Sequence, residues 1–133
     1  MLKILPITIF FQFLVLIQLE GQQTNTRATG SVFSEDNEIL AGTTIIAIHT
    51  PTEDKYISIA NNNGRFSFFN LKPGGPYTLI VSSVGFDTLK QSNLFVHLGS
   101  EHFQFGETEI VDFVLRRKEP GLGEGPEYLH SNE

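Results

Sequence analysis

Beyond residue 26, no stretch of this chain repeats apolar residues at helical spacing. Short runs rich in Val, Ile, Phe, Tyr and Thr recur instead between clusters of Gly, Pro and Asn. β-Branched and aromatic side chains suit a pleated surface, and the punctuating residues suit chain reversals, so the pattern predicts an all-β chain.

The first strand is read at 27–33, where Ala28, Gly30 and Val32 share a face. The second, at 43–49, is apolar on both faces through Ile45, Ile46, Ala47 and Ile48, which places it in the middle of a sheet. Strands at 56–60 and 65–69 flank the run Asn61, Asn62, Asn63, Gly64, whose residues tolerate the positive φ angles of a tight hairpin turn. Phe66 and Phe68 alternate with Arg65 and Ser67, so the rings enter a core while the polar pair faces water. Lys72, Pro73, Gly74, Gly75 and Pro76 form the next breaker, followed by a strand at 77–83 and a corner at Val84, Gly85 and Phe86. A weaker strand is read at 86–96, a polar loop at 97–108, and a last strand at 110–115 with Val111, Phe113 and Leu115 on one face against Asp112 and Arg116. About seven short strands without crossover helices close most economically as an antiparallel β-sandwich with a polar exterior.

A chain of 133 residues supports one such core. Lys3 followed by an almost wholly apolar 4–17 has the plan of a secretory signal peptide, assigned to 1–21. Pro6 and Gln12 interrupt that stretch, which is too short for a spanning helix, so no stable membrane span is expected once it is removed. Residues 22–26 read as a short linker, 27–117 as the sandwich domain, and the Gly, Pro and Glu content of 118–133 as a flexible tail.

Nine basic against fifteen acidic residues give a formal charge of −6, which argues against nucleic acid as a partner. The absence of cysteine removes disulfides, thiolate metal sites and a thiol nucleophile. His49, His97, His102 and His130 show no zinc-ligand spacing, and no Glu lies between paired histidines as a metalloprotease helix requires. Glu35 with Asp36, and Glu53 with Asp54, are adjacent pairs in expected turns, better suited to solvation than to acid–base work. Ser82 and Ser83 lack a glycine-framed elbow. The expectation is therefore no enzyme, no catalytic residue, no cofactor and no metal.

Several spaced pieces agree, in order, with a known family. Gly42 to Pro51, Asn63, Gly64, Arg65 and Phe66, then Gly74, Gly75, Pro76, Tyr77 and Thr78, then Val84, Gly85 and Phe86 resemble the carboxypeptidase regulatory-like, or transthyretin-like, domain. The resemblance is greatest to the copy at the N-terminus of Oar-like TonB-dependent outer-membrane receptors. Ala41 stands where that family usually has a proline, and the receptors' plug and barrel have no counterpart in these residues. The resemblance implies a transthyretin/prealbumin-like sandwich in which Gly42, Gly64, Phe66, Gly74, Gly75, Pro76, Tyr77, Gly85 and Phe86 are structural. It also implies a non-catalytic, exported interaction module in the periplasm or at the outer membrane, since the regulatory-like domain of metallocarboxypeptidases accompanies the peptidase without cleaving peptides. Its expected partner is an envelope protein, such as a receptor plug or barrel. The alternatives are a carbohydrate-binding module with a glycan partner, although tryptophan platforms are absent, and, ranked below it, a peptidase-associated regulatory domain.

Overall fold

A computed structural model describes residues 26–120. The leader expected at 1–21, all but the last residue of the linker, and the tail beyond 120 lie outside these residues. Alternation decides the architecture. In β1 (Arg27–Ser34) every second residue from Ala28 is buried, and the same period runs through β2 (Thr44–His49) and β4 (Arg65–Phe69). The remaining strands are β3 (Asp54–Ile59), β5 (Gly74–Ser82), β6 (Leu89–Val96), β7 (Phe103–Phe105), β8 (Thr108–Ile110) and β9 (Asp112–Leu115). They form a three-stranded sheet, order β4-β1-β9, and a six-stranded sheet, order β3-β2-β5-β6-β7-β8.

The inward faces of the two sheets meet in one core. Phe66, Phe68 and Phe113 come from the small sheet, Tyr77 and Phe103 from the large one. Phe68 and Phe103 meet edge to face with centroids 6.1 Å apart, and Phe66 and Phe113 meet at a tilt with centroids 5.7 Å apart. Each such side chain removed from water contributes on the order of 1.5–3 kcal/mol, so these five rings hold the layers together. As expected, β2 lies mid-sheet, between β3 and β5. Among the described residues, no helix is long and apolar enough to cross a membrane.

Four sequence expectations need correction. The turn at Asn61 to Gly64 is present, with Gly64 at φ +73°, yet it does not close a hairpin. β3 pairs with β2, whereas β4 pairs with β1, so the turn carries the chain from one sheet to the other. The Asn61 Oδ1 shapes the turn by accepting the N–H groups of Asn63 and Arg65 at 2.9 and 3.0 Å, and the Gly64 carbonyl docks it on β1 by accepting the Val32 N–H at 2.8 Å.

The polar loop at 97–108 contains β7 and begins β8, which raises the count to nine strands among the described residues. At three residues each, these strands are too short to show a period in sequence, although Phe103 is fully buried. The third correction concerns direction. β9 runs parallel to β1, Val32 opposite Phe113, because β4 already occupies the other edge of β1 and the chain enters the small sheet beside Ser31, whose N–H donates to the Val111 carbonyl at 2.8 Å. Val111 itself precedes β9 and stays 40% exposed, while Phe113 and Leu115 reach the core as read.

Finally, β5 begins at Gly74 rather than Tyr77. A register shift against β6 between Gly74 and Tyr77 accommodates Pro76, whose carbonyl accepts both the N–H and the hydroxyl of Thr50.

Candidate functional site

The residues singled out by the family resemblance do not converge on one site. Phe66 and Tyr77 are core rings, and the Tyr77 hydroxyl donates to the Lys72 carbonyl at 2.7 Å. Gly74, Gly75 and Pro76 form the head of β5, joined by a cis Gly75–Pro76 peptide. Gly64 lies in the turn between sheets. Gly42 and Phe86 line a shallow recess of about 300 Å³ together with Lys118, and Gly85 accepts the Lys118 N–H at 3.0 Å. These positions shape turns and core; none presents a reactive group.

The titratable side chains are equally dispersed. His49 is buried against Tyr77, with ring centroids 5.0 Å apart and Nδ1 at 2.8 Å from the Thr52 hydroxyl. His102 donates Nδ1–H to the Thr29 carbonyl at 3.0 Å, since a carbonyl can only accept. His97 is exposed, and His130 lies outside the described residues. The Lys72 ammonium bonded to Asp54 holds that carboxyl below its usual range, helped by the Thr52 hydroxyl, and Asp54 raises Lys72 in return. Both are about half exposed, so the pair is a surface feature rather than a catalytic dyad. Burial pushes the Tyr77 phenol well above its ordinary value. Among the described residues, no three His, Cys, Asp or Glu side chains stand close enough to hold a metal.

Two surfaces remain. The outward face of the small sheet carries a cleft of about 300 Å³ lined by Arg27, Thr29, Ser31, Arg65, Ser67 and His102 together with Gly30, Phe66 and Val111. Beyond Arg27 it adjoins a wider cleft of about 590 Å³ at Phe69 and Glu101. The Arg27 guanidinium lies 5.4 Å from the centroid of the Phe69 ring, which is 61% exposed.

The outward face of the large sheet is unlike it. Register sets Ile57 beside Ile46 and Ile46 beside Ile80, with Ile59 and Ile48 in the neighbouring rows. Ile57 and Ile59, on the terminal strand β3, are 68% and 65% exposed. Lys55 and Lys90 border the patch, and none of the outward residues in these rows is acidic. Sequence reasoning missed this surface and expected a polar exterior. The signal was the alternation of Ile57 and Ile59 with Tyr56 and Ser58, in which the isoleucines look like the core face. The structure turns Tyr56 inward, its ring 6.4 Å from that of Tyr77, and leaves the isoleucines outside.

Comparison with known proteins agrees with the architecture. The family model described as the carboxypeptidase regulatory-like domain matches residues 27–116. No curated protein matches the chain. Among solved structures, the crystal structure of chlorocatechol 1,2-dioxygenase from Pseudomonas putida is similar at 15% identity and a TM-score of 0.49, covering 71% of this chain. The match spans 61% of that enzyme's chain, and a likeness of this size assigns neither fold nor chemistry. The matched span of the family model coincides with the two sheets and their shared core, and on that ground the chain belongs to the carboxypeptidase regulatory-like domain family.

Proposed function

We propose that the chain is a non-catalytic interaction module of the cell envelope, exported to the periplasm or the outer membrane and akin to the N-terminal extension of a TonB-dependent receptor. The observation that supports this reading is the isoleucine patch on the large sheet, ending in the two exposed side chains of β3. Apolar surface of this kind, bordered by charge, is characteristic of a face that meets another protein. No metal, nucleophile or paired acid and base is needed for docking or spacing, and the fold by itself licenses no hydrolase.

The purified chain, immobilised and exposed to an envelope extract, is expected to retain one or a few proteins that mass spectrometry identifies. The double substitution Ile57→Lys with Ile59→Lys, in a bait that melts as the parent does, should release them. Retention of no envelope protein by a folded bait, or an identical set on both baits, contradicts the proposal.

The cleft beside Phe69 favours a second reading, a carbohydrate-binding module, because hydroxyl, guanidinium and aromatic groups converge there. Calorimetry against a panel of glycans that shows no heat for any of them removes it.

A further inference from the structure

We propose that the free edge of β3 binds one extended strand of a partner protein whose outward side chains run apolar, apolar, acidic against Ile59, Ile57 and Lys55. This rests on the reading of the chain as an interaction module and specifies the chemistry of what it binds.

The backbone argument comes from hydrogen-bond phase. Ala60 N–H donates to the Thr43 carbonyl at 2.9 Å between β3 and β2, and Thr50 N–H donates to the Pro76 carbonyl at 3.0 Å between β2 and β5. Antiparallel ladders alternate, so Asp54, Tyr56 and Ser58 turn their main-chain groups toward β2. Lys55, Ile57 and Ile59 therefore turn theirs toward the outer edge, where β3 is terminal in the sheet. β4 does not cover that edge: the bond joining it to β3 runs from the Ser58 hydroxyl to the Ser67 carbonyl at 2.9 Å. Natural edges are usually blunted by proline, a bulge or several charges, and the outward positions of this one carry a single lysine beside two isoleucines.

The side-chain argument follows from pairing. Residues directly opposite each other in an added antiparallel strand pack together, so each isoleucine selects an apolar partner and Lys55 selects a carboxylate. Lys55 has no carboxylate partner among the described ion pairs. A second copy of this chain fits less well. Antiparallel self-pairing centred on Ile57 sets each Lys55 against Ile59 and leaves both ammonium groups without an acid.

The test uses fluorescence anisotropy with a labelled peptide, Thr-Val-Thr-Val-Thr-Glu-Thr, whose order supplies apolar, apolar and acidic positions on one face. The parent chain should bind it more tightly than a peptide of the same composition with Glu moved to the first valine position. Lys55→Glu should weaken binding about 3- to 10-fold, with recovery when the peptide's Glu is replaced by Lys. Ile57→Pro removes an outward-facing N–H without removing a bond to β2, so a variant that still melts cooperatively should lose binding. Binding that ignores Lys55→Glu, or no binding by a folded parent chain, overturns the proposal. So does a dimer, seen by light scattering, that Ile57→Pro dissolves, since the edge would then belong to a second copy. Partners captured from the envelope extract and released by the Ile57 and Ile59 substitutions would still support the interaction module if the peptide failed, so the two failures are distinguishable.

Discussion

Gly64→Ala separates a conformational cost from a steric one. Gly64 sits at φ +73°, and a Cβ there would lie 2.9 Å from the Val32 carbonyl oxygen and 2.9 Å from Ile39 Cγ2. Gly42 has nearly the same φ, +75°, with nothing within 4 Å of the added atom. The left-handed conformation alone costs an L-residue about 1–2 kcal/mol, which is all that Gly42→Ala should lose. At Gly64 the Val32 carbonyl must also move, weakening the bond it accepts from Leu40 N–H at 3.2 Å. Adding about 0.5–1.5 kcal/mol for that bond and a similar amount for backbone displacement brings Gly64→Ala to roughly 2–5 kcal/mol. At about 4–8 °C per kcal/mol for a domain of this size, Gly64→Ala should lower Tm by at least about 8 °C and about twice as far as Gly42→Ala, whose loss should be about 4–16 °C. Urea and thermal melts followed by circular dichroism on the purified chain measure both. Asn, which tolerates the left-handed region, should largely restore stability at position 42 and not at position 64, because its Cβ still meets the carbonyl. Equal losses at the two positions, or rescue by Asn at 64, would refute the reasoning.

Phe113→Ala empties a fully buried position against Phe66 and should cost about 3–5 kcal/mol in urea unfolding, among the largest single losses in the chain. Tyr77→Phe leaves the Lys72 carbonyl without its donor and should cost about 0.5–1.5 kcal/mol near neutral pH. The same variant should lose less stability in alkali. The buried phenol keeps its proton in the fold after the unfolded chain gives its own up, so stability falls as pH rises through about 10, and phenylalanine removes that contribution. Melts at rising pH compare the two chains. Asp54 behaves in the opposite sense: its lowered carboxyl contributes stability present above the usual carboxylate range and lost as pH falls through its folded value. Lys72→Met should therefore flatten the acid limb of a stability–pH curve only slightly, given the exposure of both partners.

Much of the fold is legible because its strands are amphipathic with period two. Val32, Phe66, Phe68, Phe113 and Leu115 each alternate with polar or outward neighbours, and each is buried as read. Connectivity is less legible. The Asn61 to Gly64 run specifies a reversal but not which strand receives the chain afterwards, and that choice is made by the bond between Gly64 and Val32 on a distant strand. β7 and β8 escape because three residues carry too little pattern, and the parallel partner of β1 depends on an edge left free by β4. The interaction surface is hidden for a different reason. In β3 both faces hold large apolar groups, Tyr56 on one and Ile57 with Ile59 on the other, and hydrophobicity alone ranks the isoleucines as core. Tyr56 goes inside because its ring reaches Tyr77.

Amide hydrogen exchange along β3, read residue by residue by NMR on the free chain, bears most directly on the claim that this protein keeps a bare, apolar strand edge for others to meet. The expected pattern is alternating, with slow exchange at Tyr56 and Ser58 and near-unprotected rates at Lys55, Ile57 and Ile59. Uniform protection from residue 54 to residue 59 would mean that the edge is already covered, and the proposed docking site would not exist.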